Sequence, residues 1–194
     1  ITKNLKTIGA LPLRLRKNKH TPSFLAVRAE VIMPMAGFQA LNRKQVENGK
    51  DPFANPRNAA AGILRQLDSA KVADKPLTLF FYELLAIEGS APENHWDFLH
   101  KLFKWGLRVW EKNKKTASLE QVKAYHRSMQ ENRDTLGFEI DGVVIKVNDY
   151  AVREKLGTRQ RSPRWAIAWK FEHQKEITRL TDIVVQVGRT GKLT

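Results

Sequence analysis

Residues 136–148, LGFEIDGVVIKVN, are the stretch on which the reading of this chain turns. The run is apolar and β-branched, as a strand should be, yet it carries two carboxylates and a lysine where uncharged side chains are easier to bury. A charge taken out of water alone is costly, so Asp141 and Lys146 are expected to meet a partner or a charged ligand. The two lie five positions apart, which a regular strand sends to opposite faces. A β-bulge at Gly142 would return them to one pocket, and a bulge is the expectation here.

A second run, residues 162–171, SPRWAIAWKF, repeats the theme. Alternation puts Trp165, Ile167, Trp169 and Phe171 on one face, for packing, and Ala166, Ala168 and Lys170 on the other. The second face offers two small side chains and then a cation, room for a flat or anionic group that ends at the ammonium. Two lysines on two apolar strands suggest a phosphate pocket. Each lysine equally suits a strand end from which it snorkels to solvent, and spacing leaves both readings open.

Working outward, residues 26–32, AVRAEVI, read as a strand ended by Pro34, with Arg28, Glu30 and Ile32 on one face. Glu30 is then either a ligand-binding carboxylate in an apolar setting or the partner of Arg28. A short helix is expected over residues 37–45. Asn55-Pro56-Arg57-Asn58 ahead of three alanines has the form of a helix start, with Asn as cap and Pro in the first turn. The alanines admit a close neighbour, while Arg57 and Arg65 are forks suited to phosphate oxygens. The alternative is a helix packed tightly on a sheet with both arginines solvated. Residues 77–85, LTLFFYELL, read as a strand with Leu79 and Phe81 on one side and Phe80, Tyr82 and Leu84 on the other. Tyr82 either stacks on a base or belongs to the core. Asn94 caps a helix with a stripe of Trp96, Leu99, Leu102 and Phe103, and Ser118-Leu-Glu-Gln121 opens another with Leu119, Val122, Tyr125 and Met129 inward. This mixed order of elements predicts the α+β class.

The 194 residues hold 34 lysines and arginines against 20 acids, a formal charge of +14, which points to a polyanionic partner and first to nucleic acid. The cations run along the whole chain, which favours a folded basic surface over a basic tail. With no cysteine, disulfides and thiolate zinc sites are excluded within these residues. The five histidines, His173 among them, have no metal-ligand spacing. No apolar run reaches the roughly 18–20 residues that cross a bilayer, so no membrane partner is expected, and a cytoplasmic location is. The chain starts at Ile1 and stops soon after a Gly188-Arg-Thr-Gly191 turn that follows the strand-like residues 183–187. A hairpin turn calls for a returning strand, none is expected in what remains, and the sequence reads as an internal piece of a longer protein.

Six segments carry a resemblance: EVIMP at 30–34, FANPRNAAAG at 53–62, LRQL at 64–67, LGFEIDGVVIK at 136–146, WAIAWKF at 165–171 and QVGRTG at 186–191. Over nearly its whole length the chain resembles the bacterial NAD-dependent DNA ligase. FANPRNAAAG separates that family from ATP-dependent ligases and capping enzymes, which share the strand motifs only. The resemblance implies an incomplete nucleotidyltransferase fold, the ATP-grasp-like adenylation domain of ligases, over residues 1–174. It implies the first strand of an OB fold within residues 175–194. The family seals nicks by passing AMP from NAD to a lysine, then to a DNA 5′-phosphate, before the 3′-hydroxyl displaces it. By the same resemblance Lys146, Lys170 and Asp141 are catalytic, and Glu30 and Tyr82 join the two lysines around the adenylate. Arg57, Arg65 and Arg133 handle phosphate and DNA, and Asp141 is the one candidate for a metal. The implied partners are NAD or AMP, magnesium or manganese, and nicked double-stranded DNA met by a monomer; zinc would belong to a domain outside these residues.

The family's nucleophile stands in a Lys-x-Asp-Gly motif, and the single Asp-Gly pair here, Asp141-Gly142, follows Glu139-Ile140. The chain alone is therefore expected to be inactive. Two other readings stand beside this one: a basic nucleic-acid-binding module without chemistry, and an ATP-dependent polynucleotide ligase.

Overall fold

The computed structural model describes residues 1–160, 162–172 and 179–193. Its first unit is built on two antiparallel strands, β1 (Phe24–Ile32) and β2 (Thr78–Glu88), both rich in the aromatic and branched residues that suit a half-buried pleat. One face of this pair, where Val31 lies opposite Leu79 and Ala29 opposite Phe81, closes on the core. That core is supplied by Ala59, Ala60 and Ile63 of α3 (Pro56–Leu64), Val72 of α4 (Ala70–Ala73), Phe98, Leu99 and Leu102 of α5 (His95–Lys104), and Trp105 and Leu107 beyond it. Helices α1 (Thr2–Leu5) and α2 (Met35–Glu47) flank it, Phe38 and Leu41 of α2 packing at its margin.

The caps read from sequence form as expected. The Asn55 side chain accepts from the Asn58 N–H at 2.7 Å, with Pro56 in the first turn, and Asn94 accepts from the Asp97 N–H at 3.0 Å. The stripe on α5 differs by one position: Phe98 is fully buried and Phe103 is exposed. The buried arc of Phe98, Leu99, Leu102 and Trp105 is as wide as the expected one and is rotated from it about the helix axis, so that Phe103 falls outside the core.

The second unit is a hairpin-like pair, β3 (Gly142–Lys146) and β4 (Ala166–Lys170), joined through α7 (Tyr150–Leu156) and backed by α6 (Leu119–Glu131). Residues 136–141 precede the strand as a loop after a 3-10 turn, Arg133–Thr135, so the strand is shorter than the apolar run. On the back of the pair the His126 ring stacks on Trp169, centroids 4.1 Å apart, and meets Phe171 edge-on. His126 and Met129 are the buried residues of α6, whereas Leu119, expected inward, is exposed.

The expected bulge at Gly142 is absent. Pairing runs unbroken from Gly142 opposite Lys170 to Lys146 opposite Ala166, and the Phe171 N–H continues it to the Asp141 carbonyl at 2.9 Å. Gly142 serves close approach instead: a Cβ there would collide with the Trp169 carbonyl oxygen and lie 2.8 Å from the Lys170 Cα. The irregularities fall in β2. Arg28 opposes Glu83 and Ala29 opposes Phe81, leaving Tyr82 as an extra residue; a second shift leaves Leu85 unpaired.

Among the described residues, 179–193 form no strand. Ile183, Val184, Val185 and Val187 are exposed, with no neighbouring strand to take up their backbone groups. The turn at Gly188–Gly191 is closed by a single antiparallel bridge between Val187 and Leu193 and a 2.8 Å bond from the Gly188 N–H to the Lys192 carbonyl, without a returning strand among the described residues. His173, Ile177 and the expected domain boundary at 174/175 lie outside the described residues. No helix in the described residues is long and apolar enough to cross a membrane.

Candidate functional site

Residues paired across two antiparallel strands share a face, so Gly142, Val144 and Lys146 of β3 lie on one side with Lys170, Ala168 and Ala166 of β4. Val144 and Ala168 are exposed, leaving this side open. Its floor is small and apolar, with a lysine at each end, the two backbone positions offset by four residues of strand, roughly 13 Å at 3.3 Å per residue.

The other predicted residues edge this floor. Lys170 pairs with Asp141, Nζ to Oδ2 at 2.5 Å, and this contact holds the Asp141 carboxyl below its ordinary range. Arg57, at the start of α3, lies near enough to lower that carboxyl further and reaches Glu30 at 4.0 Å. Glu30 in turn acts on Tyr82 together with Arg28, although burial is the main reason the Tyr82 hydroxyl is pushed up. The Lys146 ammonium sits 4.9 Å from the Tyr82 ring centroid and donates to the Tyr82 carbonyl at 3.2 Å. Lys170, Asp141, Arg57 and Glu30 therefore form one circuit of neighbouring charges, and Lys146 and Tyr82 form a second contact.

Two sequence alternatives are decided by these contacts. Glu30 reaches Arg57, not Arg28 two residues away. The alanines of α3 pack inward, Ala59 and Ala60 against the core, while Arg57 points to Glu30. Both outer ion pairs are solvent-exposed and so contribute little to stability, leaving their charges available to a ligand. Arg133 lies beyond the end of β4, donating to the Glu172 carbonyl at 3.5 Å, and Arg65 caps the far end of α3, exposed and apart from the circuit. As a protein-built metal site the region does not fit: no three acids or histidines converge among the described residues, and Asp141 is engaged by Lys170.

At the Lys146 end of the floor lies a buried group that sequence reasoning missed. Glu83 accepts from Lys146 Nζ at 2.6 Å and from Arg153 Nη1 of α7 at 3.0 Å. Arg153 also donates through Nε to the Val147 carbonyl at 2.6 Å and lies over the Trp165 and Tyr150 rings, leaving Nη2 without a hydrogen-bond partner. Burial pulls the Lys146 ammonium below the ordinary lysine range while the Glu83 carboxylate opposes the shift. His95 Nδ1 lies 4.0 Å from Glu83, but burial and then Lys146 lower its pKa to about 4, so the imidazole is neutral at pH 7 and the contact is no ion pair. The signal for Glu83 was present in LFFYELL, a carboxylate inside an apolar strand. What hid its direction was the Tyr82 bulge, which turns Glu83 to the Arg28 side when strict alternation from Phe81 would send it into the core.

His95 gives a pH prediction. The unfolded imidazole takes up a proton near pH 6.5 and the folded one only near pH 4. Stability is therefore full above pH 6.5 and falls as pH drops toward 4, by at most about 3 kcal/mol. Thermal unfolding across that window should show a flatter pH slope for His95→Asn; equal slopes for variant and wild type would refute the assignment.

With the site described, comparison with known proteins is direct. The family described as NAD-dependent DNA ligase adenylation domain matches residues 1–174. The chain belongs to this family. The adenylation domain is 50% identical over 194 residues to the DNA ligase of Haloquadratum walsbyi (strain DSM 16790 / HBSQ001), covering all of this chain and 26% of that protein. It is 49% identical over 195 residues to the DNA ligases of Haloferax volcanii and Haloarcula marismortui, covering 27% and 28% of them. The chain thus spans about a quarter of the length of the curated relatives it matches. Membership places the mixed α/β architecture of the adenylation domain in the nucleotidyltransferase type of ligase.

Proposed function

We propose that this adenylation domain serves an intact ligase that seals nicks in double-stranded DNA at the expense of NAD, acting as a monomer in the cytoplasm, with residues 175–194 opening an OB-fold domain. The observation that carries the reading is the open β3–β4 face, an apolar floor with Lys146 and Lys170 at its ends and Glu30, Tyr82, Arg57 and Asp141 at its edges.

On this reading the adenylate lies along Val144 and Ala168. Tyr82 lies beside the adenine, and the Glu30 carboxylate accepts from the ribose hydroxyls. Lys146 and Lys170 offset the charge that gathers on the α-phosphate as AMP passes from NAD to a lysine of the intact enzyme and then to the DNA 5′-phosphate. Positioning and fixed positive charge are what a phosphoryl-transfer site supplies. Arg57 and Arg65, both exposed, and Arg133, half-buried beside the Glu172 carbonyl, would take DNA phosphates through charge-assisted hydrogen bonds. Magnesium or manganese belongs to this proposal as an ion carried by the phosphates, since the protein contributes at most Asp141. The 194 residues contain no Lys-x-Asp-Gly, so by themselves they should not take up AMP.

The test has two arms. Incubated with NAD and magnesium, this chain alone should show no mass increase of one AMP, whereas the intact ligase should gain it with NAD and not with ATP; adenylylation of the intact enzyme by ATP would overturn the NAD assignment. In the intact ligase Arg65→Ala should slow sealing of a nicked duplex about tenfold or more through lost charge-assisted phosphate contacts, with its melting temperature unchanged. Sealing at the wild-type rate would remove Arg65 from the DNA surface.

A further inference from the structure

We propose that Glu83 is a positioning residue for adenylate transfer: anchored by Arg153, its buried carboxylate fixes the ammonium of Lys146 at the end of the open β3–β4 face. This rests on the reading of that face given above and adds to it a residue that touches no substrate.

The geometry carries the argument. Glu83 belongs to β2, Lys146 to β3 and Arg153 to α7, so one carboxylate joins the first structural unit to both elements that flank the site. Its two oxygens are divided, Oε2 to Lys146 and Oε1 to Arg153. Arg153 cannot easily move, because Nε holds the Val147 carbonyl immediately after Lys146 and the guanidinium lies 4.2 Å from the Trp165 ring centroid. The backbone follows the same path: Asn148 accepts the His95 N–H through its carbonyl at 2.8 Å and the Trp96 N–H through its side chain at 2.9 Å, docking the end of β3 on the start of α5. Lys146 therefore has little freedom of its own. It is held by Glu83 and by the Tyr82 ring and carbonyl, and the bulge at Tyr82 sets the direction of Glu83. Lys170, by contrast, pairs with the exposed Asp141 and is free to move. The site thus pairs one fixed cation with one adjustable cation, and Glu83 makes the difference.

The charged and titratable groups facing Lys146 are Glu83 and Tyr82 of β2, Arg28 of β1, Arg153 of α7 and His95 of α5; of these, Glu83 is the one that favours the ammonium form through a hydrogen bond as well as charge. Neutralising Glu83 leaves burial and the two arginines to lower the Lys146 pKa, so the alkaline limb of the activity profile should move to lower pH.

The experiment measures single-turnover adenylylation of the intact ligase by NAD from neutral to alkaline pH. The variants are Glu83→Gln, Glu83→Asp, Lys146→Met and the Glu83→Gln/Lys146→Met double substitution. Glu83→Gln should slow the reaction about tenfold, as misplacement of a transfer group does, and shift the alkaline limb to lower pH. Glu83→Asp should restore the limb and part of the rate. In the Lys146→Met background Glu83→Gln should add no further loss, because it acts through Lys146. A wild-type rate and profile for Glu83→Gln beside an impaired Lys146→Met would overturn the proposal while leaving the site assignment intact, as would an equal loss from Glu83→Gln in both backgrounds. A silent Lys146→Met would overturn the site assignment and this proposal together. If Glu83→Gln does not fold, Glu83→Asp, which keeps the charge and shortens the reach, carries the same comparison.

Discussion

Replacing Lys146 with Met in the intact ligase is expected to lower the rate of AMP transfer about 100-fold or more, the usual scale for removing one fixed group that meets developing charge in a water-poor site. The effect should lie in the rate, with a smaller change in NAD binding, because the charge that the ammonium answers develops only as AMP is transferred. Met is chosen because it keeps the stem of the side chain, and Glu83 retains Arg153 as a partner at 3.0 Å, so the carboxylate is not stranded. Single-turnover adenylylation at saturating NAD, read beside a thermal melt, separates the two effects. A variant that transfers AMP at the wild-type rate would mean that Lys146 is a buried structural cation and nothing more.

Arg153→Ala is expected to destabilise the protein by about 3–5 kcal/mol, the range for breaking a buried ion pair by removing one partner. Three losses coincide: the bond to Glu83, the bond to the Val147 carbonyl and the packing of the guanidinium over Trp165 and Tyr150. Lys146 then remains as the single close cation on a carboxylate that is 7% exposed. At the entropy of unfolding usual for a chain of this size, the melting temperature should drop by about 10 °C. Arg153→Met, which fills the same space without charge, should recover part of the packing but not the pairing. A melting temperature within a degree or two of the wild type for Arg153→Ala would mean that Lys146 alone compensates Glu83.

The ranking of charged contacts in this chain follows burial, not number. Lys170–Asp141 at 2.5 Å and Lys146–Glu83 at 2.6 Å are nearly equal in length, yet the first is mostly exposed on both sides and the second almost fully enclosed. Water screens the exposed pair, so it can open for a phosphate at small cost, whereas the enclosed pair is shielded from water and is held further by Arg153 on Glu83 and the Tyr82 carbonyl on Lys146. Both behaviours occur on one strand pair, and the difference comes from what lies beside each lysine, buried Glu83 and Arg153 at one end and solvent at the other.

What the sequence determined by itself is the set of features that local chemistry enforces. The caps at Asn55, Asn94 and Ser118, the strand character within 77–85 and 162–171, and the shared face of Ala166, Ala168 and Lys170 all follow from residue type and period, and each is present, with strand bounds of 78–88 and 166–170. The presence of Glu30, Asp141, Lys146 and Lys170 on apolar segments also marked where charge had to be answered. Tertiary structure alone decided what answered it. Lys146 found Glu83, 63 residues away, and Glu30 found Arg57, because pairing across the chain depends on register, and register here is broken by the bulges at Tyr82 and Leu85 while Gly142 stays in line. A one-residue slip inverts every side chain that follows it, and nothing in the local sequence says where the slip will fall.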